Sequence, residues 1–229
     1  MQSGFSVDCR KCARLAGFLD EVKIRYPDYY ARPVPAFGDR MSRLLIIGLA
    51  PGMHGANRTG RPFTGDFAGI LLYRTLYKFG FANHEGSASP EDDLQLMQCR
   101  ITNAVKCLPP ENKPQPREIR QCNHYLAAEI ADFRKEGGFA LLALGAIAHQ
   151  AALMALGFKP GAYSFGHGAV HALPGDLSSD GSERHGLTLY DSYHCSRYNT
   201  QTRRLTPDMF EQVFERICAD MASRRKTGD

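Results

Sequence analysis

The chain has 229 residues, 43% of them hydrophobic and 23% charged, and a net charge of +4. That composition excludes a disordered or low-complexity chain and supplies enough apolar side chains for a full core. No stretch approaches the roughly 20 apolar residues of a membrane span, so no membrane partner is expected, and the mild positive balance permits nucleic acid without demanding it.

The N-terminus reaches Asp8, Cys9, Arg10 and Lys11 without an apolar core, which predicts no export signal. Seven cysteines, an odd number, argue against a disulfide framework. The expected compartment is the cytoplasm. A helix is predicted over residues 12–25, directly after the pair Cys9-x2-Cys12. Two more cysteines, Cys107 and Cys122, stand far downstream with fourteen residues between them. A close pair plus two distant thiolates can make a four-ligand metal site, and zinc and an iron–sulfur cluster are both chemically possible. Cys99, eight positions before Cys107, is the competitor for a ligand role; Cys195 and Cys218 read as small packed residues.

An apolar strand is predicted at 44–49, and the loop 48–66, GLAPGMHGANRTGRPFTGD, leaves its end. Five glycines let the backbone approach a ligand, and Phe63, Asp66, His54, Arg58 and Arg61 suit an unstacked base and a nearby phosphate. The loop is neither a Walker A sequence nor a dinucleotide fingerprint. A helix follows over 68–79, with Asp66 placed to cap it. A second strand is predicted at 101–105 and carries Asn103, whose amide offers both a donor and an acceptor. The segment 108–121 contains four prolines and cannot continue a strand or helix through Pro109-Pro110 and Pro114-x-Pro116. It can present Lys113 and Arg117 to a phosphate backbone.

Next come a helix over 117–133, a strand at 140–144 and a helix over 147–156. Residues 161–186, rich in Gly, Ser and His, read as an irregular excursion or hairpin. The last strand, 187–193, runs into Ser192-Tyr193-His194-Cys195-Ser196-Arg197-Tyr198-Asn199-Thr200. A final helix begins at Pro207, with Thr206 as its cap, and extends to about residue 222. Strands alternating with helices predict one domain, 1–229: a three-layer α/β/α sandwich on a mostly parallel central four-stranded sheet.

Four segments in order, the loop 48–66, residues 101–107, residues 142–145 and residues 192–200, resemble the motifs of the uracil-DNA glycosylase superfamily, specifically its family 5 branch. The resemblance runs from Cys9 to about Leu205. It implies a DNA-repair glycosylase that hydrolyses the bond between deoxyribose and uracil, and further deaminated bases such as hypoxanthine or xanthine, leaving an abasic site. It implies a 4Fe-4S cluster on Cys9, Cys12, Cys107 and Cys122. Asn103 matches the uracil-reading asparagine, Phe63 the ring on which the extruded base stacks, and His194 the donor to the departing base. Asn199 matches another site residue. The superfamily usually places an acid or amide in the first loop where this chain has Ala50, so the carboxylate role falls to Asp66, beside its role as a cap. Gly52 borders the base and brings no tyrosine against its C5 edge, which predicts a broad pocket. Arg58, Lys113, Arg197 and Arg203 are the expected DNA contacts, and a monomer is expected. Two other readings stay open: a non-catalytic iron–sulfur protein that binds damaged DNA, and a zinc-bound nucleotide hydrolase.

Overall fold

The structure is a computed structural model that describes residues 4–159, 161–177 and 183–227. The chain begins with α1 (Ala13–Arg25), a short strand β1 (Phe37–Gly38), β2 (Leu44–Gly48) and a one-turn α2 (Ala56–Thr59). Next come α3 (Phe67–Lys78), β3 (Cys99–Asn103), a 3₁₀ turn at Pro110–Asn112 and α4 (Pro116–Lys135). Then β4 (Ala140–Leu144), α5 (Ala146–Ala155), β5 (Val170–Leu173), β6 (Asp176–Leu177), β7 (Glu183–Arg184) and β8 (Leu187–Ser192) follow. The chain closes with α6 (Arg197–Gln201) and α7 (Pro207–Thr227).

The sheet order is β1-β3-β2-β4-β8-β5. Its centre is the expected parallel set: β3, β2, β4 and β8 run in one direction. Two antiparallel edge strands, β1 and β5, extend it to six. Neither edge was legible beforehand. Two residues are too few to show a period, and Val170–Leu173 sits inside the Gly- and His-rich excursion, where β6 and β7 form a separate antiparallel pair.

β2 and β4 are buried along their whole length, as expected of parallel strands covered on both faces. Leu44, Ile46, Leu142 and Tyr190 face α3 and α7, packing with Leu72, Leu76, Phe210, Phe214 and Ile217. The alternate residues Leu45, Ile47, Leu141, Ala143 and Leu189 pack against Leu126, Ile130, Ala148 and Ala152 of α4 and α5. Each large side chain buried this way contributes about 1.5–3 kcal/mol. The result is the expected three-layer sandwich. α1 stands outside it and buries Leu15, Leu19 and Val22 against Val105, Leu108 and Tyr125.

The helix starts follow local chemistry. Asp66 caps α3 by accepting the Gly69 N–H at 2.8 Å. α4 opens on Pro116 with Gln115 and Glu118 as a capping box. The Thr206 hydroxyl accepts the Met209 N–H at the start of α7. Cys99 opens β3 and is fully buried in the core on the α3 side.

Candidate active site

β2 lies between β3 and β4, and the chain passes from β2 to β3 on one side and then back across to β4 on the other. Such a switch point opens a crevice at the carboxyl ends of the strands. Gly48 and Asn103 end β2 and β3 and are register partners. A Cβ on Gly48 would lie 2.8 Å from the Phe63 ring and closer still to the Asn103 Oδ1, so glycine alone lets both side chains meet there.

A cleft of about 400 Å3 occupies the crevice, lined among others by Gly52, Phe63, Asp66, Asn103, His194 and Arg197. Its size suits one small ligand. At the bottom, Asn103 is 3% exposed and Phe63 5%. The Asn103 Oδ1 is buried and has no hydrogen-bond partner among the described residues. An acceptor left in that state costs about 1–3 kcal/mol, which a ligand donor would relieve. Phe63 has φ of 56°, a left-handed conformation uncommon for a bulky residue. Its neighbours hold it there. Tyr73 donates to the Pro62 carbonyl at 2.7 Å, and the Arg61 guanidinium bonds Thr64, Ser87, the Ser89 carbonyl and Asp92.

Asp66 is half-buried. One carboxylate oxygen caps α3. The other faces Gly52 and Gly55, where a Cβ on Gly55 would stand 2.6 Å from it. Burial raises the Asp66 pKa even though backbone N–H groups of Gly69 and Ala68 bond it. Capping and facing the cleft are therefore simultaneous. His194 follows β8, and its ring lies 5.9 Å from that of Phe63 and 28° from parallel. Desolvation pushes its pKa down to about 4, so the imidazole is neutral at neutral pH.

Three expectations change. Arg61 does not face a phosphate: it is 7% exposed and bound to Asp92, because a buried guanidinium needs all its donors satisfied. His54 also turns away from a ligand role, its Nδ1 lying 2.8 Å from the Tyr29 hydroxyl. Asn199 does not line the cleft; its amide donates to the His194 carbonyl at 2.8 Å and so fixes the loop that carries the imidazole.

The expected DNA contacts divide by position. Arg197 is exposed at the cleft and stacks over Phe67, 5.0 Å from the ring centroid. Lys113 is exposed beside Glu111, at 3.1 Å. Arg203 is exposed after α6. Arg58 is exposed, its Nε donating to the His54 carbonyl, and does not line the cleft.

Cys9, Cys12, Cys107 and Cys122 line one small apolar cavity with Phe5, Leu15, Val105 and Tyr125. Cys99 is not part of it. Burial, with the neighbouring thiols adding to it, pushes the Cys107 pKa up, and burial raises Cys122 to about 11. Thiols crowded in this way become thiolates together only around a cation. The Tyr125 hydroxyl and the Lys106 N–H donate to the sulfurs of Cys9 and Cys122, each at 3.4 Å. Among the described residues, the ligand-type atoms that gather within 4.8 Å of one another as a trio belong to His149, His171 and Asp191.

Sequence reasoning missed that trio. His149 Nδ1 lies 2.8 Å from Asp191 Oδ1 and its Nε2 3.0 Å from the Tyr163 carbonyl; His171 Nε2 lies 3.1 Å from Asp191 Oδ2. Both nitrogens of His149 face acceptors, an arrangement that favours its doubly protonated form. Burial alone would lower its pKa, but the hydrogen bond and charge of Asp191 raise it overall. The trio holds the segment before β5 against β8, where His167 Nδ1 accepts the Tyr193 N–H at 3.2 Å, one residue before His194. No spacing rule links these residues in the sequence.

The model of the Uracil DNA glycosylase superfamily matches residues 35–218. A type-5 uracil-DNA glycosylase of Thermus thermophilus is 45% identical over 210 residues, covering 90% of this chain and 90% of its own length. The type-5 enzyme of Pyrobaculum aerophilum is 38% identical over 218 residues, covering 93% of this chain and 89% of itself. A type-4 enzyme of Archaeoglobus fulgidus is 30% identical over 145 residues, covering 63% of this chain and 58% of itself.

Proposed function

The chain belongs to the uracil-DNA glycosylase superfamily, within its type-5 branch, and from that premise we propose how its cleft acts on uracil in DNA. The enzyme hydrolyses the N-glycosidic bond and leaves free base and an abasic site. One observation carries the residue assignment: Asn103, with its buried and unpartnered carboxamide oxygen, shares a cleft with Asp66 and His194.

Uracil presents an acceptor, a donor and an acceptor along its pairing edge, so one carboxamide can bond its adjacent O4 and N3–H. Phe63 supplies an apolar face against which the extruded ring stacks. As the C1′–N1 bond breaks, its electron pair goes to the base, and the neutral His194 donates a hydrogen bond to the developing anion at O2. The Asp66 carboxylate stabilises the sugar cation and aligns the water whose oxygen bonds C1′. The water proton passes to the carboxylate and on to solvent, and the departing base takes one from solvent. Asn199 positions His194 through its carbonyl. Arg197, Lys113 and Arg203 meet phosphates.

Cys9, Cys12, Cys107 and Cys122 hold a 4Fe-4S cluster in this reading, because four thiols around one cavity, two buried and two half-buried, suit it. When bound, it would supply a cross-link and no reacting group. The benefit reaches the catalytic loop by a short path. α1 leads into Tyr30 and Ala31, whose N–H groups bond the carbonyls of Arg58 and Asn57 at 3.0 and 2.9 Å. Thiolates of this kind persist in a reducing compartment, which makes the cytoplasm the proposed location. Among the described residues no helix is long and apolar enough to cross a membrane. We take 1–229 as one functional unit that acts as a monomer.

Ala50 and Gly52 bring little bulk to the cleft. Hypoxanthine and xanthine are therefore proposed as further substrates, and cleavage confined to uracil across a panel of duplexes would overturn this. The central test is release of free base from uracil-containing DNA. Binding without alkali-labile sites, on both single and double strands, would mark a damage-binding protein instead.

A further inference from the structure

The 3₁₀ turn between the two downstream cysteines reaches the catalytic cleft. Asn112, on that turn, is one of the residues that line it. Asn112 is exposed, whereas Asn103 and Phe63 at the bottom are 3% and 5% exposed. Depth separates what each can touch. The buried pair meets the base, and a group at the mouth meets the sugar–phosphate that trails behind it.

The turn is held firmly for that purpose. The Asn112 N–H bonds the Pro109 carbonyl at 3.1 Å and the Lys113 N–H the Pro110 carbonyl at 3.0 Å. From α1, Arg14 donates to the Lys113 carbonyl at 3.2 Å and to both oxygens of Glu118 at 2.8 and 2.7 Å. Glu118 in turn accepts the Gln115 N–H at 2.7 Å. A turn whose backbone is fixed in place before binding loses little freedom on contact. Asn112 has φ of 56°, a region that asparagine tolerates. The backbone alone does not select the amide, because Glu111 beside it has the same φ of 56°.

Resting on the glycosylase reading, we propose that Asn112 donates its carboxamide N–H to a phosphate flanking the extruded nucleotide. The contact adds a neutral backbone grip at the cleft mouth, opposite in kind to the charged Arg197. It also links the thiol site to substrate, since Cys107 and Cys122 bracket the turn.

The test compares Asn112→Gly, which keeps the left-handed backbone and deletes the amide, with Asn112→Ala in single-turnover cleavage. Colour and melting temperature are read alongside. Asn112→Gly should lose roughly tenfold, the scale of one hydrogen bond to a charged group, and lose it equally for uracil, hypoxanthine and any other base the wild type cleaves. A methylphosphonate placed in turn at the two phosphates flanking uracil should slow the wild type about tenfold at one of them, with no further loss there in Asn112→Gly. Wild-type rates for Asn112→Gly would reduce Asn112 to a backbone role and overturn the proposal. So would unequal losses among bases, or losses that multiply at both phosphates. An inactive wild type would strike the glycosylase reading instead, before the variant is compared.

Discussion

Asp66 can be asked whether it reacts or only caps. Asn accepts the same backbone bond and is as good a cap, so Asp66→Asn should melt near the wild type. Its single-turnover cleavage should fall at least about a hundredfold, with little change in DNA affinity. Burial raises the Asp66 pKa, so the acid limb of the cleavage profile should lie above the usual carboxylate range and vanish in the variant. Cleavage by Asp66→Asn at the wild-type rate would leave the mechanism to His194 and Asn103. His194 has a different pH signature. Its folded pKa of about 4 lies below the ordinary 6.5, so between those values the unfolded chain binds a proton that the folded one refuses. Its contribution to stability is therefore full above about pH 6.5 and declines as pH falls toward 4. His194→Gln should remove that part of the acid sensitivity in pH-dependent melts and slow cleavage about a hundredfold. An imidazole found protonated at pH 6 by NMR would contradict the neutral-donor role.

At the scale of elements, the ends of β2 and β3 decide whether the site exists. Gly48 is the point where strand, stacking ring and reading amide coincide. Gly48→Ala places a methyl 2.8 Å from the Phe63 ring and against the Asn103 Oδ1, in a strand that cannot shift without its neighbours. The expected cost is about 1–3 kcal/mol, with cleavage reduced more than the lower stability explains. Calorimetry and cleavage under conditions where the variant is fully folded check this. Unchanged activity would mean that the site reshapes freely around the methyl. The glycine-rich character of this loop was legible in the sequence. That Gly48 meets Phe63 and Gly55 meets Asp66 in space was not, because contacts across a loop depend on how it folds back.

At the scale of the molecule, the thiol site joins the N-terminus, the end of β3 and the body of α4. Replacing Cys9, Cys12, Cys107 or Cys122 singly by Ser should abolish the brown colour expected of the proposed cluster and lower the melting temperature. Cys99→Ser and Cys218→Ser should keep the colour, with some loss of packing at the buried Cys99. A fully coloured Cys122→Ser protein would move that ligand role elsewhere. Because α1 is braced to the catalytic loop through Tyr30 and Ala31, loss of colour should also slow cleavage in any variant that stays folded.

The sequence by itself determined the four parallel strands, the sandwich and the end of the sheet at which its motif residues gather. Continuous apolar runs such as Leu44–Gly48 can only be buried on both faces, and the residues after them then emerge at one end of the sheet. What the tertiary structure decided was the partner of each polar group. Arg61 and Arg197 look alike in sequence, yet one is locked to Asp92 and the other stands at the cleft mouth. Asn103 and Asn199 are both motif amides, but of the two it is Asn103 that lines the cleft, its acceptor without a partner among the described residues. Cys99 and Cys107 are eight positions apart and point into different environments, the core and the thiol cavity. The trio of His149, His171 and Asp191 joins α5, β5 and β8. Hydrophobic pattern is periodic along the chain and can be read there. A hydrogen bond is directional, and its partner is known only once distant segments have been brought within about 3 Å.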